Sequence, residues 1–342
     1  MAHTTPHDLM NAHKMEIHMQ LDGAHGETVV AHLKSTMSVM TDNSGCSLLD
    51  TICGRDTGFG QPPLRGAGYE GLHLWHTETV PLVDANDVVS PTTTHYEIAK
   101  NVILKKKHVF IEKPITDKPA HAMELIKLSK ENKIIGQVGH VERFNPAYVA
   151  SINHFNNPQF IESHRLSDFN PRGNDVSVIM DLMIHDIDII LNIVNSKVKT
   201  INASGVSIVS NSPDIANARI EFENNCVANL TASRISLKKM RKTRIFQKDA
   251  YISIDFLEKE LQIVKIKDID ESDSNLSMVI KTDSGKDKII YFENPEIHEE
   301  NSILNELESF AESINKKTLP KVTLMDGYHA VAVANEIMDQ MK

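Results

Sequence analysis

Between residues 83 and 138 short apolar runs alternate with stretches of helical spacing, and this alternation restricts the fold more than any other feature of the chain. Val83-Asp84-Ala85-Asn86-Asp87-Val88-Val89-Ser90-Pro91-Thr92 is an apolar stretch entering a Ser-Pro turn. Ile98, Val102 and Leu104 mark a helix over 94–106. Val109-Phe110-Ile111 reads as a buried strand, and a helix at 117–132 and a strand at 134–138 follow. Strands alternating with helices imply right-handed crossovers and a parallel sheet covered on both faces.

The rhythm changes after about residue 157. One long helix is expected over 177–194, then strands over 198–209, 218–223, 226–236, 250–256, 261–266 and 278–281. Two amphipathic helices, 300–315 and 325–341, close the chain. The fold class is therefore α/β at the N-terminal side, followed by an α+β domain on a large, mainly antiparallel open sheet. A chain of 342 residues is long enough for two such domains.

Composition narrows the partners. A net charge of -10 gives no broad positive field for nucleic acid, so a small molecule is the expected partner. No run approaches the ~18 apolar residues of a membrane helix, and no leader pattern opens the chain, so a cytoplasmic location away from membranes is expected. Cys46, Cys53 and Cys226 are odd in number and lack metal-ligand spacing, which fits a reducing compartment. The first 80 residues differ from the rest, with nine of the fifteen Gly but only two Lys and two Ile, so motifs there are read separately.

Two constellations carry chemistry. Lys113, before Pro114, is driven to extended geometry at the carboxyl end of strand 109–111, the edge at which open α/β sheets bind ligands. It is either a surface lysine or a group that exchanges a proton with, or polarises, a substrate hydroxyl. Asp181 and His185 stand four apart on the long helix and share a face with Asp188. They are either an ordinary Asp–His pair or a proton-transfer group with its orienting carboxylate. Ser90-Pro91-Thr92-Thr93-Thr94-His95 opens a helix, where free backbone N–H groups favour an anion or a ribose, unless the turn is only a helix cap.

Glu112-Lys113-Pro114, then Gly139-His140-Val141-Glu142-Arg143-Phe144-Asn145-Pro146, then Asp181-x-x-x-His185-Asp186-x-Asp188 together resemble the Gfo/Idh/MocA oxidoreductases, over residues 83–342. That resemblance implies a Rossmann dinucleotide-binding domain over 1–120 and a substrate-binding and oligomerisation domain over 121–342. It implies NAD or NADP as cofactor, and a homo-dimer or homo-tetramer. It implies Lys113, Asp181 and His185 at the active site, and Ser90, Pro91, Thr92, His95, Glu112 and Lys113 beside the dinucleotide. The Lys113–Pro114 peptide is often cis in the family. Arg143, Asn145, His164 and Arg172 are the expected grips on substrate, with local ion pairs and caps as the competing use of those side chains. The Gly139–Pro146 string is most similar to members acting on nucleotide sugars, such as the UDP-N-acetylglucosamine 3-dehydrogenases.

The dinucleotide fingerprint itself is partial. Met15 to Leu21 alternates apolar and polar residues before Gly23-Ala24-His25-Gly26. Gly23 and Gly26 are the expected phosphate turn, with Val29, Val30 and Leu33 on the next helix, and Asp56 is the expected ribose acid, later than the ~20-residue spacing of that pattern. The function expected is hydride transfer between a nicotinamide and a hydroxyl carbon of a sugar, cyclitol or nucleotide sugar. A catalytically silent ligand-binding member of the same fold is the alternative. A metal hydrolase using His140, Glu142, His164, Asp181 and His185 is a more distant one, and no metal is assigned.

Overall fold

The computed structural model describes residues 14–20, 28–34, 85–169, 176–268, 278–281 and 287–341. They form two compact units: one of residues up to Val141 together with Asn301–Tyr328, the other of Glu142–Glu300 and His329 onward.

The first unit holds a five-stranded sheet in the order β2-β1-β3-β4-β5. Its strands are β1 (Lys14–Gln20), β2 (Thr28–Lys34), β3 (Ala85–Val89), β4 (His108–Glu112) and β5 (Gly136–Gly139). β1, β3, β4 and β5 run parallel, linked in part by α1 (Thr92–Leu104) and α2 (Pro119–Asn132). One expectation fails here. Val29, Val30 and Leu33 lie not on a helix but on β2, antiparallel to β1. Thr28, Val29 and Val30 are consecutive β-branched residues, which favour extended backbone over helix. Gly23, Gly26 and Asp56 lie outside the described residues.

The unit also runs past residue 120, the boundary expected from sequence, because β5 extends the parallel sheet through β4. It is completed by α5 (Ser302–Lys316) and the start of α6 (Leu324–Gln340). Ala85, Phe110 and Phe310 pack together with Ile135, Leu307 and Ile314, and each buried phenylalanine contributes about 1.5–3 kcal/mol. On the same face the Gln137 Nε2 donates to the Glu306 carbonyl at 2.8 Å. On the other face a β-carbon on Gly327 would lie 2.7 Å from Val138 Cγ2, so α6 approaches β5 at backbone distance only because residue 327 is glycine.

The second unit is built on a nine-stranded sheet in the order β13-β14-β12-β11-β10-β6-β9-β8-β7. Its strands are β6 (Phe160–Leu166), β7 (Val198–Val206), β8 (Ile215–Phe222), β9 (Val227–Ser233), β10 (Met240–Gln247), β11 (Ala250–Asp255), β12 (Glu260–Asp268), β13 (Met278–Ile280) and β14 (Lys288–Glu293). Neighbours are antiparallel except β6 and β9, which run parallel. Ahead of β6 come a 3-10 turn (Val141–Phe144) and the short α3 (Pro146–Ser151). The helix expected over 177–194 is two pieces: a π-helical turn (Ile179–Met183), then α4 (Ile184–Val194).

Alternation along β6 buries Ile161, Ser163 and Arg165 on the face that α4 covers and turns Glu162 and His164 to the other. Ser163 is satisfied by a 2.8 Å bond to the Thr243 hydroxyl of β10, so polar residues occupy inward positions there without a desolvation penalty.

Candidate active site

In the first unit the carboxyl ends of β3 and β4 lie side by side, and their following residues form a built edge. The Lys113–Pro114 peptide is cis. Glu112 turns back so that Oε2 accepts the Lys113 backbone N–H at 2.8 Å, while the Lys113 side chain is half-buried. No side chain caps α1, because the N-cap residue is Pro91, which has no side-chain acceptor; the Thr94 hydroxyl donates to the Pro91 carbonyl at 2.8 Å and lies 2.7 Å from Ser90 Oγ. The Thr94 N–H is used on the Pro91 carbonyl at 2.9 Å, and the Thr92 and Thr93 N–H groups keep their donor capacity beside Ser90 and Pro91.

His95 is buried with both ring nitrogens against backbone carbonyls, Nε2 to Ser90 at 2.6 Å and Nδ1 to Pro114 at 2.8 Å. It therefore ties the Ser90 turn to the cis-proline turn from beneath. Burial pushes its pKa below the ordinary imidazole value, against the raising effect of the carbonyls.

Sequence reasoning passed over Asp87, on the same strand face as Glu112. It is 4% exposed, and its Oδ1 has no hydrogen-bond partner. Burial, and then the charge of Glu112, push its pKa up to about 7. A carboxylate in the middle of a short parallel strand, between Ala85 and Val88-Val89, was the signal available.

In the second unit Asp181 sits on the π-helical turn and His185 on the first turn of α4. From Val178 to Ile190 only Asp181, Leu182 and His185 are not buried. The two ionisable groups four residues apart thus share the one solvent-reachable stripe of a segment otherwise packed on all sides. A π-helical turn at such a place is a common mark of a functional site.

The expected substrate grips separate. Arg143 is buried and spends Nε and Nη2 on Asp188 at 2.6 and 2.8 Å. Asn145 caps α3, accepting the Ala147 N–H at 3.1 Å, and donates to Glu142 Oε2 at 3.1 Å and the Phe256 carbonyl at 2.9 Å. Both are engaged inside the unit, in the ion pair and the cap that the sequence left open as the competing use of these side chains. His164 projects from the sheet face opposite Arg165 and α4, so β6 separates it from Asp181 and His185. Arg172 lies outside the described residues. Asp188, expected beside Asp181 and His185, is buried against Arg143. Among the described residues no three His, Cys, Asp or Glu side chains are grouped to hold a metal ion, and no helix is long and apolar enough to cross a membrane.

The family model for oxidoreductases with an NAD-binding Rossmann fold matches residues 70–140, and the GFO/IDH/MocA C-terminal domain model matches 136–253. The chain belongs to the GFO/IDH/MocA oxidoreductase family. It is similar to the UDP-N-acetylglucosamine 3-dehydrogenase of Acidithiobacillus ferrooxidans, 39% identical over 183 residues that cover 53% of this chain and 58% of that protein. It is 25% identical to the scyllo-inositol 2-dehydrogenase (NAD(+)) of Bacillus subtilis over 51% of this chain, and again spans 58% of the relative's length. The solved structure of UDP-N-acetylglucosamine 3-dehydrogenase GnnA from Acidithiobacillus ferrooxidans matches with a TM-score of 0.67 at 30% identity, over 76% of this chain and 78% of that one. Levoglucosan dehydrogenase, solved with NADH and levoglucosan, shares the fold with a TM-score of 0.62 at 16% identity.

Proposed function

We propose that this chain is an NAD(P)-dependent dehydrogenase that oxidises a hydroxyl carbon of a nucleotide sugar, with UDP-N-acetylglucosamine the favoured substrate class. The observation that carries the reading is the Asp181–His185 stripe, two ionisable groups left reachable on an otherwise buried helix. The 39% identity to a UDP-N-acetylglucosamine 3-dehydrogenase supports the substrate class.

The residues at the ends of β3 and β4 fit a dinucleotide. The Thr92 and Thr93 N–H groups at the start of α1, uncapped by any side chain, suit a ribose or phosphate oxygen, and Ser90, Pro91, Thr92, Glu112 and Lys113 line the same edge. Bound there, a nicotinamide dinucleotide supplies the acceptor for the hydride leaving the substrate carbon. His185 takes the hydroxyl proton as the C–O bond becomes a carbonyl, and Asp181 orients its imidazole and stabilises the imidazolium. The Lys113 ammonium, on the dinucleotide-binding edge of the first unit, is a second group able to polarise a hydroxyl oxygen. Outward-facing Phe246 and Phe292, both exposed, support association between copies through the nine-stranded sheet.

A second reading keeps the fold without turnover, as a ligand-binding protein. It is favoured by one feature, the antiparallel β1–β2 pairing where the dinucleotide fingerprint has a strand followed by a helix. Titration with NADH and with NADPH, followed by cofactor fluorescence and repeated with UDP-N-acetylglucosamine, separates the two. Saturable binding with substrate-dependent NAD(P)H production is expected. Ligand binding without turnover would establish the second reading, and no binding of either cofactor would overturn the first.

A further inference from the structure

α4 carries two buried carboxylates, and a different arginine holds each. Arg143 reaches Asp188 through two N–H···O bonds of 2.6 and 2.8 Å. Arg165 reaches Asp186 through Nε and Nη2, both at 3.0 Å, and gives Nη1 to Glu142 Oε1 at 2.9 Å. Side-chain exposure is 7% or less for all five residues. Buried charge of this kind stabilises a fold no better than apolar packing of equal volume, so its informative property is its geometry.

Successive residues of an α-helix are turned by about 100°. Asp186 therefore projects about 100° to one side of His185, and Asp188 about 60° to the other. A guanidinium fork binds a carboxylate in one plane and resists its rotation, which a single ammonium contact does not. Two such forks on either side of one residue fix the rotation of the helix about its own axis at that residue. They act immediately after the π-helical turn (Ile179–Met183), where the hydrogen-bond register departs from α. The forks come from separate places, Arg143 from the 3-10 turn before α3 and Arg165 from β6, so the constraint is anchored to two elements of the unit.

We propose that Arg143 and Arg165 are positioning residues that lock the azimuth of His185, presenting its imidazole on the reachable stripe beside Asp181. The proposal rests on the reading of His185 as the proton-transfer group, and neither arginine touches substrate.

The test uses the full chain with two kinds of substitution. Arg143→Lys and Arg165→Lys keep the charge and lose the fork. The paired variant Arg143→Met with Asp188→Leu removes the whole ion pair and leaves no buried charge alone. A misplacement of about 1 Å costs on the order of 100-fold in rate. Each variant is therefore expected to lose about 10- to 100-fold in kcat, with KM for the dinucleotide unchanged within about twofold and the thermal midpoint of the paired variant near the parent's. Nitrogen-15 spectra of labelled histidine, with the His185 signals assigned by their loss in His185→Gln, read the imidazole environment without any turnover. Shifted His185 signals in the paired variant support the lock even if the parent chain proves catalytically silent. Unshifted signals overturn the proposal, as does parental kcat in a paired variant whose parent is active.

Discussion

Gly139 at the end of β5 stands against Glu112 of β4 so closely that a β-carbon on residue 139 would lie 3.1 Å from the Glu112 carboxylate and 3.2 Å from its Cα. The side chain could swing away, but the Cα belongs to a strand paired on both sides and cannot. Gly139→Ala should therefore cost about 1–3 kcal/mol, as overpacking does, measured as a lowered denaturation midpoint. Because Glu112 holds the Lys113 N–H, nucleotide affinity should fall with it. An alanine variant with parental stability and affinity would show that this edge has slack.

Asp87 predicts a pH dependence of definite sign. Its pKa is about 7 in the folded chain and 3.8 as the ordinary value, so the folded state holds a proton that the unfolded state releases. Stability then falls as pH rises from about 4 to about 7, by up to about 4 kcal/mol for this group. Asp87→Asn should flatten that slope, raising the thermal midpoint at pH 8 and leaving it little changed at pH 4. Equal effects at both values would contradict the assignment.

His95→Phe keeps much of the buried volume and abandons the carbonyl, of Ser90 or Pro114, to which the single N–H of the neutral ring donates. The cost expected is about 1–3 kcal/mol, the range for leaving one such acceptor unsatisfied, together with weaker dinucleotide binding from a loosened Ser90 turn. The parent histidine has a depressed pKa, so the stability its neutral form contributes is present above about 6.5 and is lost as pH falls through the folded value. Comparison of urea midpoints at pH 5 and pH 8 should show a smaller acid loss in the variant.

Lys113→Met and His185→Asn address the chemistry itself. Each should lower turnover by about 100-fold or more with dinucleotide binding nearly intact, since general acid–base groups contribute on the order of 10²–10⁴. His185→Asn should also remove the imidazole limb from the pH–rate profile. An unaltered profile would exclude His185 as the proton carrier.

Much of this architecture is legible in sequence where burial is apolar and local. β4 announces itself as Val109-Phe110-Ile111, and the edge residues Glu112 and Lys113 follow from where it ends. Asp181 and His185 are legible because four residues is one helical turn. β6 and β10 are not, because their outer positions carry Glu162, His164, Lys242 and Arg244, while inward positions include Ser163, Thr243 and Arg165, made tolerable only by partners on other elements. The use of Arg143 was hidden for the same reason. An arginine in a polar string reads either as a ligand grip or as an ion-pair partner, and only the fold shows the carboxylate, 45 positions away, that meets it.

The return of Asn301–Tyr328 to the first unit bears on how the protein is made. On the ribosome the parallel strands emerge early, yet the helix that covers Ala85 and Phe110, and the Thr323 bridge along Gln137, arrive only after the whole second unit has been synthesised. The nascent sheet must wait with apolar surface uncovered, the state that recruits chaperones and invites aggregation. Cutting the chain near residue 141 should therefore yield no self-sufficient nucleotide-binding half, whereas joining that fragment directly to 301–328 should restore the missing cover.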